Sequence, residues 1–88
     1  MTIEEAFGQV IQELRKANSL SQEKLADLSH IDRSFISLVE NGHKQPSLIT
    51  IFQLAKAFNV STAKIMAAAE EKLQAVVQSP CSSARVKK

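Results

Sequence analysis

Apolar residues along this chain recur at intervals of three and four, and polar punctuation divides the pattern into five helical segments. Ile3, Phe7, Val10, Ile11 and Leu14 make one inward stripe. Thr2 and Glu5 precede it at the spacing of a capping box, which predicts a helix from about Ile3 to Ala17. Gly8 weakens that helix slightly, and Asn18 is the expected left-handed residue at its end. Ser21 is a good N-cap for a second helix through about Ser29, with Leu25, Ala26 and Leu28 inward. Asp32 caps a third helix that Gly42 ends, leaving Ser29, His30 and Ile31 for the turn. His30 falls where the backbone needs positive φ, a structural role that outweighs one as ligand or catalyst.

Pro46 and Ser47 start a fourth helix whose expected inward face is Leu48, Ile51, Leu54, Ala55 and Phe58; Ile49 and Phe52 do not fit it. Asn59 ends that helix, Val60 turns inward, and Ser61 or Thr62 caps a fifth running to about Val77. Met66, Ala69, Leu73 and Val76 alternate along it as a short coiled-coil-like seam. From Ser79 onward the composition reads as a disordered basic tail, so the expected division is a domain over 1–78 and a tail over 79–88. The fold class is all-α: a compact five-helix domain in which helices 2 and 3, from Ser21 to Gly42, form a helix-turn-helix.

Composition adds bounds. A chain of 88 residues supports one modest core, and 44% hydrophobic content with only two Gly and two Pro favours helices over a turn-rich β fold. The net charge of +2 falls to −1 once the three basic residues after Pro80 are set aside, so any nucleic-acid surface must come from local clustering. Cys81 is the one cysteine; it cannot close an internal disulfide, and no paired Cys/His metal pattern accompanies it. A reducing, cytoplasmic setting is expected, with no membrane segment, metal or cofactor.

A helix-turn-helix places its second helix in the DNA major groove. Two helices of an ordinary bundle would bury the same core, so the exposed residues must decide. Arg15, Leu20-Ser21-Gln22-Glu23, Leu25-Ala26, Ile31, Ile36-Ser37, Glu40-Asn41-Gly42, Pro46-Ser47-Leu48 and Leu54-Ala55 with Val60 form an ordered set. That set resembles the lambda-repressor-like, Cro/repressor-type helix-turn-helix proteins, including the controller proteins of restriction-modification systems, over roughly Phe7 to Met66. Ala26 lies where the two helices approach most closely, and Ile31, Ile36 and Val39 pack beneath the turn.

The resemblance implies a partly buried ion pair between Arg15 and Glu40, tying the first helix to the end of the third. It also implies a DNA-facing set. Gln22 would meet a backbone phosphate, while Arg33, Ser34, Ser37 and Leu38 would face the groove, and Asn41, His43 and Lys44 would hold the backbone. The Arg33 fork matches the two acceptors of a guanine edge, and Leu38 suits a thymine methyl. Asp32 reads as a cap instead of a base contact, because its carboxylate repels phosphate. Phe35 stands where related sequences commonly have Tyr and is expected to pack partly inward.

One such domain touches few base pairs, so a homodimer on two half-sites is expected. Ile49, Phe52, Met66, Ala69 and Leu73 are left over for a dimer interface. The competing arrangement folds the fifth helix over the fourth and buries them within one subunit. The leading function is therefore a transcriptional regulator on a palindromic operator in double-stranded DNA, blocking or touching RNA polymerase. An antitoxin gripping a toxin protein needs an extra segment, for which only the fifth helix and the tail are available. A protein-interaction module that lost DNA contact would carry acidic or bulky residues along the third helix, against which Arg33, Ser34 and Ser37 argue. No nucleophile, phosphate loop or metal motif supports an enzyme.

Overall fold

A computed structural model describes residues 1–77, and the predicted tail, Cys81 and the Val76 side chain lie outside what is described. Five helices follow in order: α1 (Ile3–Ala17), α2 (Gln22–Ser29), α3 (Arg33–Glu40), α4 (Leu48–Phe58) and α5 (Thr62–Val77). Each starts on a side-chain cap. Thr2 and Glu5 exchange hydrogen bonds of 2.9 and 3.1 Å across the capping box. Ser21, Asp32, Ser47 and Ser61 each accept a backbone N–H from the first turn of the helix they precede. His30 (φ 60°) and Asn59 (φ 58°) supply the left-handed residues that stop α2 and α4.

Asn18 differs from expectation: its φ is −96°, and Ser19 at +56° takes the left-handed conformation. The Asn18 carboxamide donates to the Leu14 carbonyl at 2.7 Å, beside the Asn18 backbone N–H that reaches the same oxygen at 3.1 Å, and the reversal falls one residue further along.

The central element is α1, which packs against α3, α4 and α5, while α2 packs on α3 and α4. Ala6, Phe7, Val10 and Ile11 meet Leu25, Ile36, Val39, Leu54, Ala55, Phe58, Ile65 and Ala69 in one core. Gly8 is buried where α1 crosses the end of α3: a Cβ there would collide with the Val39 carbonyl oxygen and lie 2.7 Å from that of Glu40. Glycine is thus required by the crossing, beyond the small helix penalty read from sequence.

The burial of Leu28, Leu48, Ile3, Ala69 and Leu73 departs from expectation. Leu28 is exposed and Ser29 is buried in its place, its hydroxyl satisfied by donation to the Leu25 carbonyl at 2.7 Å. Leu48 is 72% exposed; three and four residues separate it from Ile51 and Phe52, and it lies beyond the rim of the core on the Phe52 side. Ile3 is exposed at the start of α1. In α5, Ala69 is 1% exposed, so it has no surface to offer a partner, and Leu73 is half-buried against the core. That helix lies mainly on α1 instead of α4, with Ile65 and Ala69 inward and a Lys72–Glu13 ion pair of 2.7 Å at its flank. The pair is largely exposed and contributes at most about 1 kcal/mol.

Candidate nucleic-acid interface

The turn between α2 and α3 is built by local chemistry. Positive φ at His30 reverses the chain, the Ile31 N–H donates to the Ala26 carbonyl at 3.2 Å, and Asp32 caps α3 through the Ser34 N–H at 3.0 Å. Half-buried Ala26 and Ile31 let the two short helices close over Leu25. One face of α3, made of Phe35, Ile36, Val39 and Glu40, turns inward. Arg33, Ser34 and Leu38 are left exposed, with Ser37 half-buried beside them.

Beyond α3, the His43 N–H donates to the Leu38 carbonyl at 2.9 Å and Gly42 adopts φ 77°, which folds the chain back at the helix end. Asn41, His43 and Lys44 are exposed there. Among the described residues neither Arg33 nor Lys44 has an ion-pair partner. The Asp32 carboxylate is occupied as the α3 cap, and Phe35 packs partly inward.

Behind this surface lies the Arg15–Glu40 pair. Arg15 Nε donates to Glu40 Oε2 at 2.7 Å and Nη2 to Oε1 at 3.1 Å, a two-pronged grip, while Nη1 donates to the Leu20 carbonyl at 2.9 Å. The Glu40 side chain is 1% exposed and that of Arg15 13%. Gln22 belongs to the same cluster: its Nε2 donates to Glu40 Oε1 at 3.0 Å. Sequence reasoning missed this link, because nothing local connects residues on different helices eighteen positions apart.

A second feature flanks the helix-turn-helix. Leu48, Ile49 and Phe52 stand on one side of α4 at 72%, 71% and 59% exposure. With Ala55, Val60 and the Lys56 stem they line an open apolar groove. Met66, also exposed, lies in a separate depression against Ile3 and Phe7. Among the described residues no group of His, Cys, Asp and Glu could hold a metal ion, and no helix is long and apolar enough to cross a membrane.

This arrangement has known counterparts. The helix-turn-helix family matches residues 11–65. Control protein C.SmaI of Serratia marcescens is 38% identical over 66 residues, which is 75% of this chain and 79% of that protein. The crystal structure of the restriction-modification controller protein C.AhdI from Aeromonas hydrophila superposes with a TM-score of 0.69 at 44% identity, covering 70% of this chain and 94% of that one. The fold is also that of C.Esp1396I, crystallised as a tetramer in complex with its natural 35 base-pair operator; there the TM-score is 0.73 at 22% identity, over 81% of this chain and 93% of that one. With the family matched over residues 11–65 and these relatives covered over most of their length, this chain belongs to the helix-turn-helix family of DNA-binding transcription regulators, of the Cro/repressor type.

Proposed function

We propose that the chain is a sequence-specific regulator that binds a palindromic operator as a homodimer, each subunit laying α3 in the major groove of one half-site. The observation that carries this reading is the division of α3. Its inner face is locked into the core, while Arg33, Ser34 and Leu38 form a free outer face that Asn41, His43 and Lys44 extend. In this reading Arg33 reads a guanine edge, Leu38 lies against a thymine methyl, Ser34 and Ser37 bond bases or phosphates, and Gln22, Asn41, His43 and Lys44 hold the backbone. The operator-bound tetramer of C.Esp1396I is a use of this fold consistent with it.

Selection from a random duplex library tests the reading directly. An enriched palindrome supports it and gives the half-site spacing; the absence of any enrichment counts against it. Arg33→Ala is expected to relax discrimination at one base pair by roughly 1 to 3 kcal/mol. Lys44→Ala is expected to weaken every sequence alike and make the salt slope shallower by about one unit. Equal losses on selected and random DNA from Arg33→Ala would remove it from base reading.

The dimer contact is proposed to run through Ile49 and Phe52, with Leu48 joining them. Three large apolar side chains side by side on one helix are costly to leave in water, each gaining about 1.5–3 kcal/mol on full burial. A two-fold axis beside α4 would set each Phe52 against its partner's groove. Phe52→Glu is expected to give a monomer by sedimentation, with an unchanged helical circular dichroism spectrum because Phe52 is outside the core. An undiminished dimer would place the contact elsewhere.

A further inference from the structure

Gln22 is the first residue of α2, and the resemblance implies that it meets a backbone phosphate. The hydrogen bond from its Nε2 to Glu40 Oε1, at 3.0 Å, changes what that side chain can do. A carboxamide presents a donor on one side and an acceptor on the other, and a solvated glutamine turns either outward. A phosphate oxygen only accepts, so only the NH2 side is useful against DNA.

Glu40 removes the ambiguity. As an ionised carboxylate it only accepts, so the neighbouring carboxamide must offer it the NH2 group. Nor does Glu40 move to suit Gln22, because Arg15 grips both of its oxygens and its side chain is 1% exposed. One Nε2 hydrogen is thereby used. The second has no acceptor among the described residues, and Gln22 stays half-exposed at the edge of the helix-turn-helix. The backbone N–H groups of Gln22 and Glu23 lie in the same first turn, where no intrahelical acceptor exists.

We propose that Glu40 is a positioning residue for DNA binding: held by Arg15, it orients the Gln22 carboxamide so that its remaining N–H is ready for a backbone phosphate. The ordering of Gln22 is completed during folding and is not charged against association. This inference rests on the DNA-binding reading above. It also makes a prediction opposite to simple electrostatics. Removing a buried negative charge near polyanionic DNA should tighten binding if charge alone mattered. If Glu40 orients Gln22, the same change weakens it.

The test is a double-mutant cycle on a random-sequence duplex of about 30 base pairs at low salt, where phosphate contacts dominate. Gln22→Ala is expected to weaken binding about tenfold, the loss of one hydrogen bond to a charged acceptor. Glu40→Gln is expected to weaken it about fivefold in the parent and less than twofold in the Gln22→Ala background. Binding by Glu40→Gln as tight as the parent's, or a full loss repeated without Gln22, overturns the proposal. Should Glu40→Gln fail to fold, the unaltered protein decides through side-chain 15N relaxation. A Gln22 Nε2 order parameter of about 0.8 in the free protein supports prior ordering, and one below about 0.6 overturns it. If the parent protein binds no duplex at all, the DNA-binding reading itself falls, an outcome distinct from a parent that binds but shows no coupling.

Discussion

Arg15→Ala is expected to lower the stability of the domain by about 3–5 kcal/mol in chemical denaturation, the cost of leaving a buried charge without its partner. The Glu40 carboxylate, 1% exposed, would keep only the Gln22 N–H, and the Leu20 carbonyl would lose its donor as well. Against a typical domain stability of about 5–15 kcal/mol, such a loss approaches unfolding. Glu40→Ala should cost less than Arg15→Ala, because the stranded Arg15 is 13% exposed and still reaches the Leu20 carbonyl. Replacing both by Met should recover most of the loss, since a buried ion pair roughly balances attraction against desolvation. Single variants that each cost under about 1 kcal/mol would show that water reaches the pair.

Gly8→Ala is the second large effect, and its sign runs against helix propensity. In an exposed helix the change would stabilise by about 0.8–1 kcal/mol. Here the new methyl would meet the Val39 carbonyl oxygen and stand 2.7 Å from that of Glu40. Both are backbone atoms at the end of α3, so no side chain can rotate away, and the two helices must separate. Overpacking of this kind costs about 3 kcal/mol or slightly more, which leaves a net loss of about 2 kcal/mol after the propensity gain. For a domain of this size that lowers Tm by roughly 8–16 °C, read by thermal circular dichroism. A Tm at or above the parent's would mean that the end of α3 yields cheaply. Because that end also carries Glu40 and leads to Asn41, His43 and Lys44, DNA affinity should fall with stability.

The two substitutions differ in how visible they are beforehand. Arg15 and Glu40 could be paired from the resemblance, although only the fold supplies the bidentate geometry and the third member, Gln22. Gly8 looked like a mild defect in a helix until α3 was placed against it. The outward set is a similar mixture. Arg33, Ser34 and Leu38 follow from the period of α3 once Ile36 and Val39 are taken as core. Gln22 was assigned from the resemblance alone, and its tether to Glu40 is a tertiary fact.

By itself the sequence determined the five helices, their N-caps and the reversal at His30, because each depends on residues within about four positions of one another. It also determined most of the core, through apolar periodicity. Tertiary structure alone decided which of the remaining apolar residues stay in water. Ala69 vanished beneath α1 while Leu48, Ile49 and Phe52 stayed exposed, since a helical stripe is buried only where another helix covers it. The same reason applies to the Leu28 and Ser29 exchange, where a polar residue could be buried because the Leu25 carbonyl was there to accept its hydroxyl.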